Sequence, residues 1–174
     1  MFNLCWGQKV SPNFRNRLIQ LCRKHGWTND HANWLMAAMA FESGETFSPS
    51  VKNAAGSGAT GLIQFMPSTA KSLGTTTADL AKMSAVDQLF YVEQYFKPYA
   101  KRIASLPDMY MAILLPKYIG QPDSSVLFSD GVAYRQNSGL DTDKDGVVTK
   151  LEAASKVTEK FMKGYGFTEL VQDV

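Results

Sequence analysis

Apolar residues recur at helical spacing in several segments of the chain. In the first of these segments, Leu18 and Leu21 fall on one face of a predicted helix. Ser11 precedes the segment as an N-cap, and Pro12 suits the first helical position. Gly26 follows the periodic stretch and supplies a C-terminal stop. The pattern therefore predicts a helix that begins at Pro12 and ends before Gly26.

The rest of the chain shows the same alternation of helical segments and breakers. A second helix is predicted from a cap at Asn29 or Asp30 to Glu42, and a short third helix from Pro67 to a stop at Gly74. A helical turn over 78–82, capped by Thr77, and a longer helix from Ser84 to Pro98 follow. The last two predicted helices cover 108–115, after Pro107, and 150–163, before Gly164. Residues 43–61 and 120–132 are predicted to be loops. No β alternation exceeds three or four residues, so we expect an all-α fold with at most a small β-hairpin in residues 50–65.

Composition adds limits to this picture. The chain has 174 residues, of which 45% are hydrophobic and 20% charged, so residues 1–174 are expected to form a single domain, and we expect a monomer. The net charge of +2 gives little support for nucleic-acid binding, which needs a concentrated basic patch. No apolar run approaches the roughly 20 residues of a membrane helix, so membrane insertion is not expected.

The two cysteines do not form a metal-binding pattern. Cys22 lies among leucines and an isoleucine, where a small buried thiol fits, and a Cys5–Cys22 disulfide is an alternative in an oxidising compartment. The N-terminus lacks the basic segment and apolar stretch of a secretory signal, so we expect synthesis in a cytoplasm.

Glu42 is the most informative residue of the chain. It ends an apolar run from Trp34 to Phe41, although a negative charge at a helix C-terminus is unfavourable because the helix dipole is also negative there. A carboxyl at the end of an apolar helix is partly desolvated, which raises its pKa. A carboxyl that stays protonated near neutral pH is suited to general acid catalysis. Glu42 is therefore the candidate catalytic residue.

Two motifs around this residue resemble a known family. Glu42-Ser43-Gly44, followed by Gly61-Leu-Ile-Gln-Phe-Met-Pro-Ser-Thr-Ala70, resembles the catalytic domain of the soluble lytic transglycosylases. Those enzymes are relatives of g-type lysozyme that cut the glycan strands of peptidoglycan, and the resemblance is greatest to phage-encoded endolysins. It covers about residues 30–120. It implies a lysozyme-like fold, a peptidoglycan partner, and action in the periplasm after synthesis in a host cytoplasm, or from a virion.

The resemblance also implies roles for individual residues. Glu42 would protonate the glycosidic oxygen and then deprotonate the 6-hydroxyl of N-acetylmuramic acid, which closes a 1,6-anhydro ring. Ser43 would orient Glu42 or contact substrate; its alternative role is a hydroxyl bonded to backbone at the helix end. Gly61 allows a close backbone approach, and Gln64 offers donors and an acceptor to a sugar amide or hydroxyl.

The family's third motif, Ala-Tyr-Asn-Ala-Gly, is not intact in this chain. The expected helix contains Tyr110 but continues as Ile-Leu-Leu, whereas a later segment places Tyr134 and Asn137 in a similar pattern. We prefer Tyr134 and Asn137 as substrate-binding residues of the cleft, with Tyr110 as the rival. The altered motif leaves open whether the product is the anhydro sugar or a hydrolysed reducing end.

Residues 141–152 match the twelve-residue calcium loop of an EF-hand. Six residues occupy ligand positions, and Gly146 provides the sharp turn. These ligands are Asp141, Asp143, Asp145, the carbonyl of Val147, Thr149 and Glu152. We therefore expect a structural Ca²⁺, and no organic cofactor, with an acidic turn that holds no metal as the alternative.

Three functions remain as alternatives. The leading hypothesis is a lytic transglycosylase that cleaves the β-1,4 bond between N-acetylmuramic acid and N-acetylglucosamine during phage-induced lysis. The second is a hydrolytic muramidase that uses the same glutamic acid. The third is a calcium-dependent wall-binding module without catalysis, which the intact Glu42-Ser43-Gly44 sequence argues against.

Overall fold

A computed structural model describes all of residues 1–174, and helices form most of its regular structure. The helices are α1 Pro12–His25, α2 Asn29–Glu42, α3 Pro67–Ser72, α4 Thr77–Lys82, α5 Ala85–Phe96, α6 Leu106–Leu114, α7 Gly131–Asn137 and α8 Lys150–Gly164. The mainly α-helical fold class predicted from the periodicity is confirmed. Helix α7 begins within the last two residues of the predicted loop at 120–132 and ends shortly before residues 141–152, which we call the acidic loop.

Four short strands form two small antiparallel pairs. Strand β1 (Phe2–Leu4) pairs with β4 (Glu169–Val171), and β2 (Val126–Phe128) pairs with β3 (Val148–Thr149). The first pair joins the two ends of the chain. The β-hairpin considered for residues 50–65 is not formed. This segment contains only isolated bridges, from Thr60 to Lys52 and from Thr60 to Phe65.

Side-chain caps explain where most helices begin. The hydroxyl of Ser11 accepts a hydrogen bond from the Phe14 amide at 3.1 Å, as the Ser-Pro start predicts. Helix α2 begins at Asn29, and its cap is Thr28, one residue before the earlier of the two predicted caps. The His31 ring accepts from the Thr28 amide at 3.2 Å. This histidine is therefore a capping residue.

Helix α2 is the centre of the molecule. Eight of its fourteen residues are buried, and it packs against α1, α6, α8 and β1. A helix that is apolar on all sides belongs in a core, and the small side chains of Ala37, Ala38 and Ala40 let neighbouring helices approach closely. The last turn of α2 reaches the surface with Glu42, so the core helix itself positions the candidate acid.

Helix α8 covers one side of α2 and is fixed by an aromatic residue of the N-terminus. Trp6 is fully buried, and its indole N–H donates to the Lys160 carbonyl at 2.9 Å. Gly164 lies against this indole, since a Cβ there would come within 2.6 Å of the Trp6 ring. Gly164 is the last residue of the helix and has right-handed dihedral angles, so it does not end the helix through a left-handed conformation. Glycine is needed here because a larger residue would collide with Trp6.

Both cysteines are buried as free thiols. Burial raises the pKa of the Cys22 thiol to about 12 and that of Cys5 to about 11. The core position predicted for Cys22 is confirmed, whereas the alternative Cys5–Cys22 disulfide is not formed.

Candidate functional site

Glu42 ends helix α2 as a half-buried carboxyl that makes no hydrogen bond within the protein. Burial raises the pKa of Glu42 from the ordinary 4.5 to about 7, and no opposite charge compensates for the lost water. At neutral pH the side chain therefore exists in both protonation states. A group with such a pKa can give a proton and later take one, which general acid–base catalysis requires.

Two tyrosines flank Glu42, and the charge of Glu42 raises the pKa of both phenols further than burial alone. The Tyr95 hydroxyl donates to the Ala112 carbonyl at 2.5 Å, which ties α5 to α6. Tyr110 packs edge-on against Phe41, with ring centroids 5.7 Å apart, and its hydroxyl makes no hydrogen bond within the protein. Tyr110 is therefore the tyrosine whose hydroxyl remains available beside Glu42.

The hydrogen bonds of the structure favour Tyr110 over Tyr134 and Asn137 as the residue beside Glu42. The Tyr134 hydroxyl donates to Asp141 at 2.7 Å, and the Asn137 amide donates to the Ala133 carbonyl at 2.9 Å. Both side chains serve α7 and the acidic loop rather than the surroundings of Glu42. Tyr110, the rival, lies close enough to Glu42 for the Glu42 charge to raise its pKa, and the substrate-binding role of all three residues stays a prediction.

Ser43 is buried, and its hydroxyl accepts a hydrogen bond from the Phe47 amide at 2.9 Å. Its carbonyl accepts from the Thr46 hydroxyl at 2.7 Å. These bonds fold the chain sharply after Glu42. The geometry favours the backbone-bonded role of Ser43 over direct contact with a substrate.

The second motif forms a turn that is held from inside by Gln88. Gly61 is buried with φ +86°, and a Cβ on it would lie 2.3 Å from the Gln88 side-chain oxygen. That oxygen accepts from the Leu62 amide at 2.8 Å, while the Gln88 amide donates to the Pro49 and Leu80 carbonyls. The close approach predicted for Gly61 is thus an approach to the Gln88 side chain.

Gln64 is half-buried beside this turn and has φ +56°, which is uncommon for a residue other than glycine. Its amide nitrogen donates to the Val51 and Gly61 carbonyls, each at 3.1 Å. Its side-chain oxygen makes no hydrogen bond within the protein. Gln64 can therefore accept a hydrogen bond from a sugar amide or hydroxyl while its nitrogen stabilises the turn.

Glu45, the nearest carboxyl to Glu42 in sequence, is in a different environment. It accepts hydrogen bonds from Lys160 and Lys163 of α8, at 2.5 and 2.7 Å to the same oxygen. These two ammonium groups lower the pKa of Glu45. Glu45 is therefore an ionised residue that links the loop after α2 to α8.

The acidic loop brings three of its predicted ligands together. A carboxylate oxygen from each of Asp141, Asp143 and Asp145 lies within 4.8 Å of the other two. Gly146 has φ +91°, as the predicted sharp turn requires. Asp141 is only 8% exposed, and its Oδ1 atom is buried without a hydrogen-bond partner.

The remaining predicted ligands make hydrogen bonds within the acidic loop. Glu152 lies outside the aspartate group, and its carboxylate accepts from the amides of Thr142 at 3.3 Å and Thr149 at 2.8 Å. The Thr149 hydroxyl accepts from the Glu152 amide at 3.2 Å as the cap of α8. Val147 follows the turn, and its amide donates to Asp145 at 2.9 Å.

A buried ion pair connects this loop to the helix beside the candidate acid, and sequence patterns gave no signal for it. The Lys150 ammonium, on a residue only 1% exposed, donates to Asp108 at 2.6 Å and to the Gln121 carbonyl at 2.7 Å. Asp108 also accepts from the amides of Gly120 and Ala104. The carboxylate is thus well satisfied, and these bonds lower its pKa despite burial.

One further depression, of about 480 Å³, lies away from Glu42 between α1 and the C-terminal strand. Its lining includes Arg15, Arg23 and Leu170 but no acidic residue. It cannot supply an acid, so it does not compete with Glu42 as a site for glycosidic cleavage.

A mainly helical domain with one protonatable glutamate at the end of its buried helix is typical of lysozyme-like enzymes. The family model described as the transglycosylase SLT domain matches residues 22–112, which include α2, the turn at Gly61–Gln64 and Tyr110. The chain belongs to this family of peptidoglycan-cleaving transglycosylases. The acidic loop lies beyond the matched residues.

No curated protein matches the chain. No helix of the structure is both long enough and apolar enough to cross a membrane.

Proposed function

We propose that the protein cleaves the β-1,4 bond between N-acetylmuramic acid and N-acetylglucosamine and releases a 1,6-anhydromuramic end. The observation that carries this proposal is the single carboxyl of Glu42, whose pKa burial raises to about 7. One group with this pKa can act as acid in the first half of the reaction and as base in the second.

In the first step, protonated Glu42 gives its proton to the glycosidic oxygen, and the bond from that oxygen to C1 of the muramic sugar breaks. In the second step, the resulting carboxylate takes the proton of the 6-hydroxyl of the same sugar. The freed oxygen then bonds to C1, which closes the anhydro ring and returns Glu42 to its protonated state. No water is consumed, so substrate and products balance.

The surroundings of Glu42 support a mechanism with one carboxyl. The usual glycosidase uses two carboxyl groups on either side of the scissile bond. Glu45, the nearest second carboxyl in sequence, is paired with Lys160 and Lys163. Tyr110 can hold a sugar hydroxyl beside Glu42, and the side-chain oxygen of Gln64 is a further acceptor for the substrate.

The hydrolytic alternative follows from the altered third motif. The chain has Ile-Leu-Leu after Tyr110 where the family motif has Ala-Tyr-Asn. The sugar therefore loses the polar partner that the family's Asn would provide. If the 6-hydroxyl is held loosely, water attacks C1 and a reducing end forms. A calcium-dependent wall-binding module without catalysis is the weaker alternative, since Glu42 has the pKa of an active acid.

We further propose that the protein acts as a monomer on periplasmic peptidoglycan during phage-induced lysis of a host in whose cytoplasm it is made. The support is the resemblance of the Glu42 and Gly61–Gln64 motifs to phage endolysins. Sedimentation analysis tests the oligomeric state. Expression in a Gram-negative host, with and without a pore-forming partner, tests the lytic role.

The enzymatic proposal is tested by the turbidity of permeabilised Gram-negative cells. Glu42→Gln keeps the size of the side chain and removes the proton donor, so we expect activity to fall at least about 100-fold. Glu45→Gln is the matched control and should keep most of the activity. Equal activity in the parent and Glu42→Gln would show that another group supplies the proton.

A further inference from the structure

We propose that residues 141–152 bind one Ca²⁺ and that this ion fixes the loop at residues 43–50 through helix α8. The binding site does not depend on the proposed enzymatic function. Residues 43–50 directly follow Glu42. Helix α8 would therefore connect the metal site to the candidate active site.

The strongest evidence for a cation is the state of Asp141. Its Oδ2 atom accepts from Tyr134 and from the Gly146 amide, but its Oδ1 atom is buried and has no partner. A buried carboxylate oxygen without a partner is costly, and a cation beside it removes that cost.

The protein itself does not neutralise the group of aspartates. None of Asp141, Asp143 and Asp145 takes part in a salt bridge. The buried ammonium of Lys150 donates to Asp108 and to the Gln121 carbonyl instead. Three carboxylates whose oxygens lie within 4.8 Å of one another therefore repel each other in the absence of a bound cation.

The donor set favours calcium over softer metals. All candidate ligands are oxygen atoms, and neither cysteine nor histidine belongs to the group. Ca²⁺ accepts six to eight oxygens in a flexible geometry, whereas Mg²⁺ needs a nearly ideal octahedron and retains several waters. Glu152 already lies over the loop, and its carboxylate can complete the set by exchanging its bonds to the Thr142 and Thr149 amides for the ion.

Strand pairing and a buried ion pair connect the acidic loop to α8 and α6. Its residues Val148 and Thr149 pair with strand β2, and α8 begins at the next residue, Lys150. The buried pair between Lys150 and Asp108 then joins the start of α8 to α6, the helix that contains Tyr110. An ion that orders residues 141–152 therefore also fixes the first turn of α8.

The other end of α8 reaches the segment that follows the candidate acid. Lys160 and Lys163 bind Glu45, which has φ +67° and lies three residues after Glu42. Helix α8 also packs against α2. Loosening α8 would release Glu45 and thereby the turn that Ser43 and Phe47 stabilise.

Calorimetry and thermal melting of the full-length protein test the metal site. The parent should bind one Ca²⁺, and its melting temperature should rise by about 5–10 °C when calcium exceeds its dissociation constant about 100-fold. The double variant Asp143→Asn/Asp145→Asn should abolish both the calcium binding and the rise of the melting temperature. Asparagine removes the two charges but retains the side-chain oxygens that accept from the loop amides. Glu42→Gln should bind calcium like the parent, so failure of the enzymatic proposal leaves this test intact.

Hydrogen exchange tests the connection to residues 43–50. Adding calcium to the chelated parent should slow exchange in the acidic loop, in α8 and in residues 43–50. Exchange in α4 should not change, because α4 is not among the elements that pack closely against α8. Absence of calcium binding overturns the metal site. Calcium binding that slows exchange only within 141–152 overturns the connection through α8.

Discussion

Replacing Glu42 by glutamine should stabilise the protein at high pH, because the native fold holds this carboxyl where its charged form is disfavoured. Burial raises the pKa of Glu42 from 4.5 to about 7, without an opposing ion pair or hydrogen bond. Glutamine has nearly the same size and carries no charge at any pH. The variant therefore removes the cost of the charge and leaves the packing of α2 unchanged.

The size of the effect follows from the pKa. Each pKa unit corresponds to 1.36 kcal/mol, so a rise from 4.5 to about 7 corresponds to at most about 3 kcal/mol. Below pH 4.5 the carboxyl is protonated in both the folded and unfolded states, and the cost is absent. Between these pH values the native state binds more protons than the unfolded state, so the parent loses stability as pH rises. Above pH 7 the difference is complete.

Urea unfolding at pH 4, 6 and 8.5 measures this difference directly. The advantage of Glu42→Gln should be near zero at pH 4 and grow to about 2–3 kcal/mol at pH 8.5. Glu45→Gln is the control of opposite sign, because lysines lower the pKa of Glu45 and the replacement should cost less than about 1 kcal/mol near neutral pH. An advantage of Glu42→Gln that does not change with pH would refute the explanation by desolvation.

Two further predictions concern the acid and the turn beside it. The value of kcat/KM should fall about tenfold per pH unit above pH 7, since only protonated Glu42 can donate; a rate that stays constant to pH 9 contradicts this. Gly61→Ala should destabilise the protein by about 2–4 kcal/mol in urea unfolding, because the added Cβ meets Gln88 at φ +86°. Gly56→Ala, at φ +79° with no atom near the added Cβ, should cost only about 1 kcal/mol, and equal losses in the two variants would exclude the clash with Gln88.

The features that sequence patterns predicted well are local in the chain. The ends of α1 follow from Ser11, Pro12 and Gly26, which act on their immediate neighbours. Glu42 was identifiable because its apolar helix and the residues after it are contiguous. The aspartate group of the acidic loop is likewise formed by residues within one turn of chain.

The features that sequence patterns missed depend on residues far apart in the chain. Strand β1 is only three residues long and pairs with residues near 170, which no local periodicity indicates. The position of Gln88 under the Gly61 turn and that of Lys150 against Asp108 are also long-range packing results. The preference for Tyr134 over Tyr110 has the same limit, because a similarity of sequence does not specify which tyrosine lies beside Glu42.

The products released from purified peptidoglycan test the central claim most directly. A transglycosylase reaction catalysed by Glu42 yields muramic ends that are about 18 mass units lighter than hydrolysed ends, because the 6-hydroxyl attacks C1 and no water is added. We expect mass spectrometry to find the lighter product with the parent and almost none with Glu42→Gln. Hydrated ends alone would contradict the proposed chemistry, and lighter ends from Glu42→Gln at the parental rate would contradict the role of Glu42.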